Sequence, residues 1–93
     1  MKKYIIEREI ANVGSLDAAQ LRSAAAKSCS ALQQLAPRIQ WVESFVAADK
    51  TFCVYLAENE AVIHKHAELS GFPASKVTEV SKMIDVTTAN GRG

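Results

Sequence analysis

Six side chains carry most of the chemistry this sequence offers: the imidazoles of His64 and His66, the carboxylate of Glu43, the thiol of Cys53, and the rings of Trp41 and Tyr55. An imidazole, a thiolate and a carboxylate together suit a borderline transition ion such as Ni²⁺, Zn²⁺ or Cu²⁺. The histidines stand in the run His64-Lys65-His66. On a helix an i, i+2 pair is turned roughly 200° apart, so the two do not grip one ion from the same face. His66 falls in the arc of Val62, Ile63, Leu69 and Ser70 and is expected to face a sheet, whereas His64, beside Lys65 and Glu68, is expected to face solvent. A sheet-facing histidine is either a core residue held by one hydrogen bond or a ligand or acid–base group. Glu43 sits among Trp41, Val42 and Phe45, where a buried carboxylate needs a partner such as Arg8 or His66, or an ion. Its plainer role is a structural ion pair or a carboxylate at a dimer seam. Cys53 alone reads first as an inert buried thiol. Trp41 and Tyr55 are candidates for the wall of a small-molecule pocket, although aromatic residues at strand spacing are most often core.

Whether these groups meet depends on the elements that carry them. Tyr4–Ile10 alternates, with Tyr4, Ile6 and Ile10 on one side and Glu7 and Glu9 on the other, and predicts a strand. Asn12-Val13-Gly14-Ser15 is turn chemistry. Ser15 is placed to cap a helix over about residues 16–35, with Asp17 near the positive end of its dipole. Leu21, Ala24, Ala25, Ser28, Ala31, Leu32 and Leu35 form one stripe of that helix, and its small residues allow close approach to a sheet. Pro37 ends it, because the residue before a proline is pushed out of the α region.

The runs Ile39–Val46 and Thr51–Leu56 predict a hairpin joined through Ala47-Ala48-Asp49-Lys50. Simple alternation sets Trp41 and Phe45 on one face of its first strand, opposite Val42 and Val46. An even-length loop places Glu43 opposite Val54, and an odd one places it opposite Tyr55. In the odd register Glu43, Cys53 and Tyr55 can converge, with His66 as a further candidate. A second helix is expected from Asn59 or Glu60 to Ser70, with Gly71 as its C-terminal cap and Pro73 just beyond. Lys76–Asp85 is read as a closing strand and Thr87–Gly93 as a frayed tail.

The order βαββαβ predicts an α+β, ferredoxin-like fold over residues 1–86, an antiparallel sheet with two helices on one face. At 93 residues, 48% hydrophobic and 23% charged, the chain has the composition of one ordinary folded domain and not of a disordered one. Domains this small bury only about 60–65% of their unfolded surface and are marginal without a partner. The middle strands are apolar on both faces, so a face-to-face homodimer is the simplest cover for the open side. A formal net charge of +1 supplies no field to hold a polyanion, which argues against nucleic acid and acidic membrane surfaces as partners. No apolar run approaches the ~20 residues needed to span a bilayer, and Met1-Lys2-Lys3 is not followed by the apolar stretch of a signal peptide. The expected address is the cytoplasm, with Cys29 and Cys53 as reduced thiols.

No nucleophile elbow, P-loop, Rossmann glycine fingerprint, H-E-x-x-H or zinc-finger spacing is present, so enzymatic chemistry has no motif behind it. A different signal comes from Trp41, Ser44-Phe45-Val46, Asp49-Lys50, Cys53-Val54-Tyr55, Ile63, His66-Ala67, Gly71-Phe72-Pro73, Val77 and Glu79-Val80, with Tyr4 and Glu7-Arg8 in the opening strand. Together these residues resemble a small bacterial family, some of whose members are described as nickel-binding proteins. The resemblance implies a ferredoxin-like homodimeric subunit that binds divalent nickel at exposed sites, for sequestration or tolerance. The residues themselves nominate His66 as the imidazole ligand, Glu43 as a hard oxygen donor, Cys53 as a soft donor and His64 on the solvent side. The competing expectation is a small-molecule binder or enzyme using a pocket between helices and sheet, walled by Trp41, with His66 or Tyr55 as acid or base. A third is an interaction subunit that docks another protein on its open sheet face.

Overall fold

The computed structural model describes residues 1–91, and among these the chain forms four strands and two α-helices. They follow in the order β1 (Lys2–Glu9), α1 (Ala18–Leu35), β2 (Ile39–Val46), β3 (Lys50–Ala57), α2 (Glu60–Ser70) and β4 (Lys76–Glu79). All strand pairs are antiparallel and the sheet order is β2-β3-β1-β4, so the fold is α+β and ferredoxin-like, as the element order predicts. Alternation places Tyr4, Ile6 and Arg8 of β1 and Thr51, Cys53, Tyr55 and Ala57 of β3 in the buried layer under the helices. Val62, Ile63 and His66 of α2 and Ala31 and Leu35 of α1 close over them. Among the described residues, no helix is long and apolar enough to cross a membrane.

Both helices begin at acid or amide caps. Asp17, and not Ser15, is the N-cap of α1: its carboxylate accepts from the Gln20 N–H while the Gln20 side chain accepts from the Asp17 N–H. Val13–Ser15 makes a separate 3₁₀ turn, which delays α1 to Ala18. Asn59 caps α2 through Val62, and Gly71 ends it at φ 80°. Of the predicted α1 stripe, Ser28, Ala31 and Leu35 are buried, Ala24, Ala25 and Leu32 half-buried, and Leu21 exposed. The N-terminal half of α1 therefore covers the sheet less tightly than its C-terminal half.

The hairpin differs from simple alternation. Four residues, Ala47–Lys50, connect Val46 to its partner Thr51, so the loop is even and Glu43 lies opposite Val54. Then Val42 bulges out, and the register shifts so that Trp41 faces Tyr55. The bulge flips the parity: Trp41 and Ser44 share the helix side, while Glu43 and Phe45 share the open side. The expected pairing of Trp41 with Phe45 on one face fails for this reason. The closing strand is also shorter than the predicted Lys76–Asp85, ending at Glu79, and the Val80 N–H donates to the Lys3 carbonyl as the last bond to β1 before the chain leaves the sheet. Val86–Asn90 forms a 3₁₀ turn capped by Asp85 where a frayed tail is expected; the last two residues of that tail lie outside the described residues.

Candidate functional site

The helix side of the sheet holds a half-open cavity of about 300 Å³, lined by residues of β1, β2, β3 and the N-terminal part of α1, with Val13 and Leu16 before that helix and Phe72 after α2. Ala24 and Ala25 are too small to fill the space between α1 and the sheet, and Trp41, brought to this side by the bulge, walls it with Tyr55. The two rings stack at 6.4 Å between centroids and 15° between planes. Trp41 is fixed further by its indole N–H, which donates to Ser44 Oγ at 2.9 Å. The predicted pocket pair of Trp41 and Tyr55 is thus brought together at one cavity.

Beside it lies a buried polar chain. Tyr55 OH is 3.2 Å from Ser28 Oγ, which is 3.2 Å from His66 Nε2, and the Tyr55 and His66 rings lie 5.2 Å apart. His66 Nε2 is also 3.4 Å from the Ser28 carbonyl, which only accepts, so hydrogen-bond logic puts the proton on Nε2. Nδ1 is then an acceptor, and it is buried without a partner. Burial lowers the His66 pKa below the ordinary histidine value, the Arg8 charge lowers it further, and the Ser28 backbone bond pulls weakly the other way. Burial also raises the Tyr55 phenol, against smaller opposing effects of Ser28 and Arg8. Both groups are accordingly neutral at pH 7.

Arg8 is the residue that sequence reasoning undervalued. Only 3% exposed, it donates from Nη1 to the carbonyls of Pro73 at 2.7 Å and Phe72 at 3.4 Å, and its guanidinium carbon stands 5.9 Å from the centre of the Tyr55 ring. No carboxylate reaches it among the described residues. The signal was present in β1: the period of two that buries Tyr4 and Ile6 buries Arg8 as well.

The nominated metal donors do not converge. Glu43 is exposed on the open face, away from Cys53, which is buried on the helix face with Sγ 3.6 Å from Thr51 Oγ1. Arg8 and His66, the partners suggested for Glu43, lie on the other side of the sheet. His66 is 1% exposed, whereas His64 is exposed and meets Glu60 Oε2 through Nε2 at 3.1 Å. Among the described residues, no group of three or more His, Cys, Asp or Glu side chains is gathered to hold an ion. The orphaned Nδ1 of His66 offers a lone pair, but among the described residues no set of three such donors gathers with it, so the buried side does not fit a nickel centre built within one chain.

A four-stranded sheet in the order β2-β3-β1-β4, two helices on one face and a cavity beneath the first helix define a ferredoxin-like domain with an internal pocket. The chain belongs to the family described as nickel responsive protein SCO4226-like, whose model matches residues 4–80. Among solved structures it is similar to the one described as "Crystal structure analysis of SCO4226 from Streptomyces coelicolor A3(2)". The TM-score is 0.70 at 16% identity, over 88% of this chain and 99% of that one, a likeness of fold. No curated protein matches the chain.

Proposed function

We propose that this protein is a cytoplasmic homodimer that binds and sequesters Ni²⁺ at exposed donors. Membership of the nickel responsive family over residues 4–80 carries this reading. On this chain the donors best arranged for it are His64 and Glu60, one helical turn apart on the exposed face of α2 and already in contact at 3.1 Å. An imidazole nitrogen and a carboxylate oxygen are both accepted by Ni²⁺, and water or a second chain completes the coordination. Glu43, exposed on the open face, is a further oxygen donor at the seam of the proposed dimer. His66 and Cys53, buried and engaged with Ser28 and Thr51, are structural in this reading.

The dimer is supported by the open face itself, where Ile5 and Phe45 are exposed and Phe52, Val54 and Leu56 half-buried on the side of the sheet away from the helices. The test is element analysis combined with size exclusion and light scattering on untagged protein after exposure to stoichiometric Ni²⁺. We expect a dimer that retains nickel, retention in His66→Gln, and loss in His64→Ala. A dimer that takes up no nickel removes the function from this chain while leaving its fold in place. Loss in His66→Gln alone moves the ion to the buried side.

A further inference from the structure

We propose that the cavity beneath α1 is a binding site for a small aromatic monocarboxylate, with the Arg8 guanidinium as the anion's partner and Trp41, Tyr55 and Phe72 as the walls around its ring. This inference stands apart from nickel binding and holds whether or not the chain takes up metal.

The first observation is charge. Among the described residues, Arg8 is the one charged side chain in the cavity wall; the other lining residues are apolar or neutral. It is nearly inaccessible from outside, yet no carboxylate pairs with it among the described residues, and two backbone carbonyls take only part of its donor capacity. A buried guanidinium without a counter-ion is costly, and a planar fork of N–H donors matches a carboxylate in two parallel bonds. The neighbouring titratable groups, Tyr55 and His66, are held neutral, so nothing in the polar chain supplies the missing negative charge. One positive charge in the wall calls for one negative charge on the ligand.

The second observation is shape. At about 300 Å³ the cavity is at the small end of ligand pockets, which limits the occupant to roughly one ring and a short acid arm. Trp41 and Tyr55 present a stacked aromatic wall, and Phe72, half-buried, lies at the Arg8 end where its own carbonyl accepts from the guanidinium. Tyr55, Ser28 and Thr51 are the hydroxyl-bearing residues of the lining outside β2. Two lining residues, Leu21 and Val46, are exposed, so that part of the wall lies at the surface.

Trp41 is the single tryptophan of the chain and lines the cavity, so its fluorescence reports occupancy directly. The probe is phenylacetate, with phenylacetamide as its neutral isostere, titrated into the full chain. Phenylacetate is expected to change the emission saturably, and the amide to bind at least about tenfold more weakly, as loss of a charge-assisted bidentate pair requires. Arg8→Gln should bring the acid down to the affinity of the amide. Because Arg8 also ties the Phe72–Pro73 segment, a variant that fails to fold is replaced by Ala25→Phe, which fills the space from α1 and should abolish binding of both probes. Equal affinity for acid and amide, unchanged binding in Ala25→Phe, or no saturable change up to about 10 mM overturns the assignment.

Discussion

His66 is sealed between α2 and the sheet, with Ser28 on Nε2 and, among the described residues, nothing on Nδ1. Its folded pKa lies below the ordinary value of 6.5, chiefly through burial. At pH above that value the folded and unfolded chains both carry a neutral imidazole, and the contribution to stability is fully present. As pH falls below about 6.5 the unfolded chain binds a proton that the folded chain refuses, and stability drops by up to about 1.4 kcal/mol per pH unit until the lowered pKa is reached. Urea titrations between about pH 7 and pH 5 should therefore show wild type losing stability faster than His66→Gln as the solution is acidified; parallel curves would refute the neutral burial of this residue. At this scale the sequence was half legible. The opposed directions of His64 and His66 follow from helical spacing, and the structure has them so. The burial of Glu43 did not follow, because it was inferred from apolar neighbours that turn out to face both sides of a strand kinked at Val42.

Elements were more legible than their boundaries. The alternation of β1, the small-residue stripe of α1, the hairpin, and α2 with its glycine stop all stand where their local chemistry puts them. The misses have local causes as well. A strand pattern of period two gives no warning of a single-residue bulge, and Ser15 and Asp17 are both competent caps, of which the one with Gln20 three residues on wins. Asp17→Ala should cost about 1 kcal/mol, seen as a lower thermal midpoint. Gly71 sits at φ 80°, a conformation that side chains with a Cβ resist, so Gly71→Ala should destabilise by about 1 kcal/mol despite the open space around it. Gly14 is constrained differently. A Cβ there would stand 2.6 Å from the Ala47 carbonyl oxygen, so Gly14→Ala must push the 3₁₀ turn away from the hairpin loop and lengthen the bond its N–H donates to Ala48. Faster amide exchange at Gly14, with the rest of the sheet protected, is the expected signature.

For the molecule as a whole, the proposed dimer rests on the open face. Phe45, 58% exposed, stands beside Phe52 across the hairpin, and Val54 and Ile5 continue the apolar surface onto the central strands. If this face is the seam of the proposed dimer, Phe45→Glu should give a monomer by light scattering while leaving the far-UV circular dichroism unchanged. Thermal midpoints of wild type should rise with protein concentration, and those of the variant should not. That the helices cover one side of the sheet and leave the other open was readable from the βαββαβ order. Where the cavity would open was not, since it depends on how far one end of α1 stands off the sheet.

The position of β1 has a consequence in time. The first strand of the chain is an inner strand of the sheet, with Tyr4 between Tyr55 on one side and Glu79 on the other. Contacts so distant along the chain are slow to form, since a long loop must close before they bring any gain. The β2–β3 hairpin and the helices are local and can assemble as the polypeptide emerges from the ribosome. Lys2–Glu9 must wait with unpaired edges until Lys50–Ala57 arrives, and keeps one of them bare until Lys76–Glu79 follows. β1 is thus made before both of its sheet neighbours and is enclosed only when the second of them follows, and through that interval in synthesis its edges are open to mispairing.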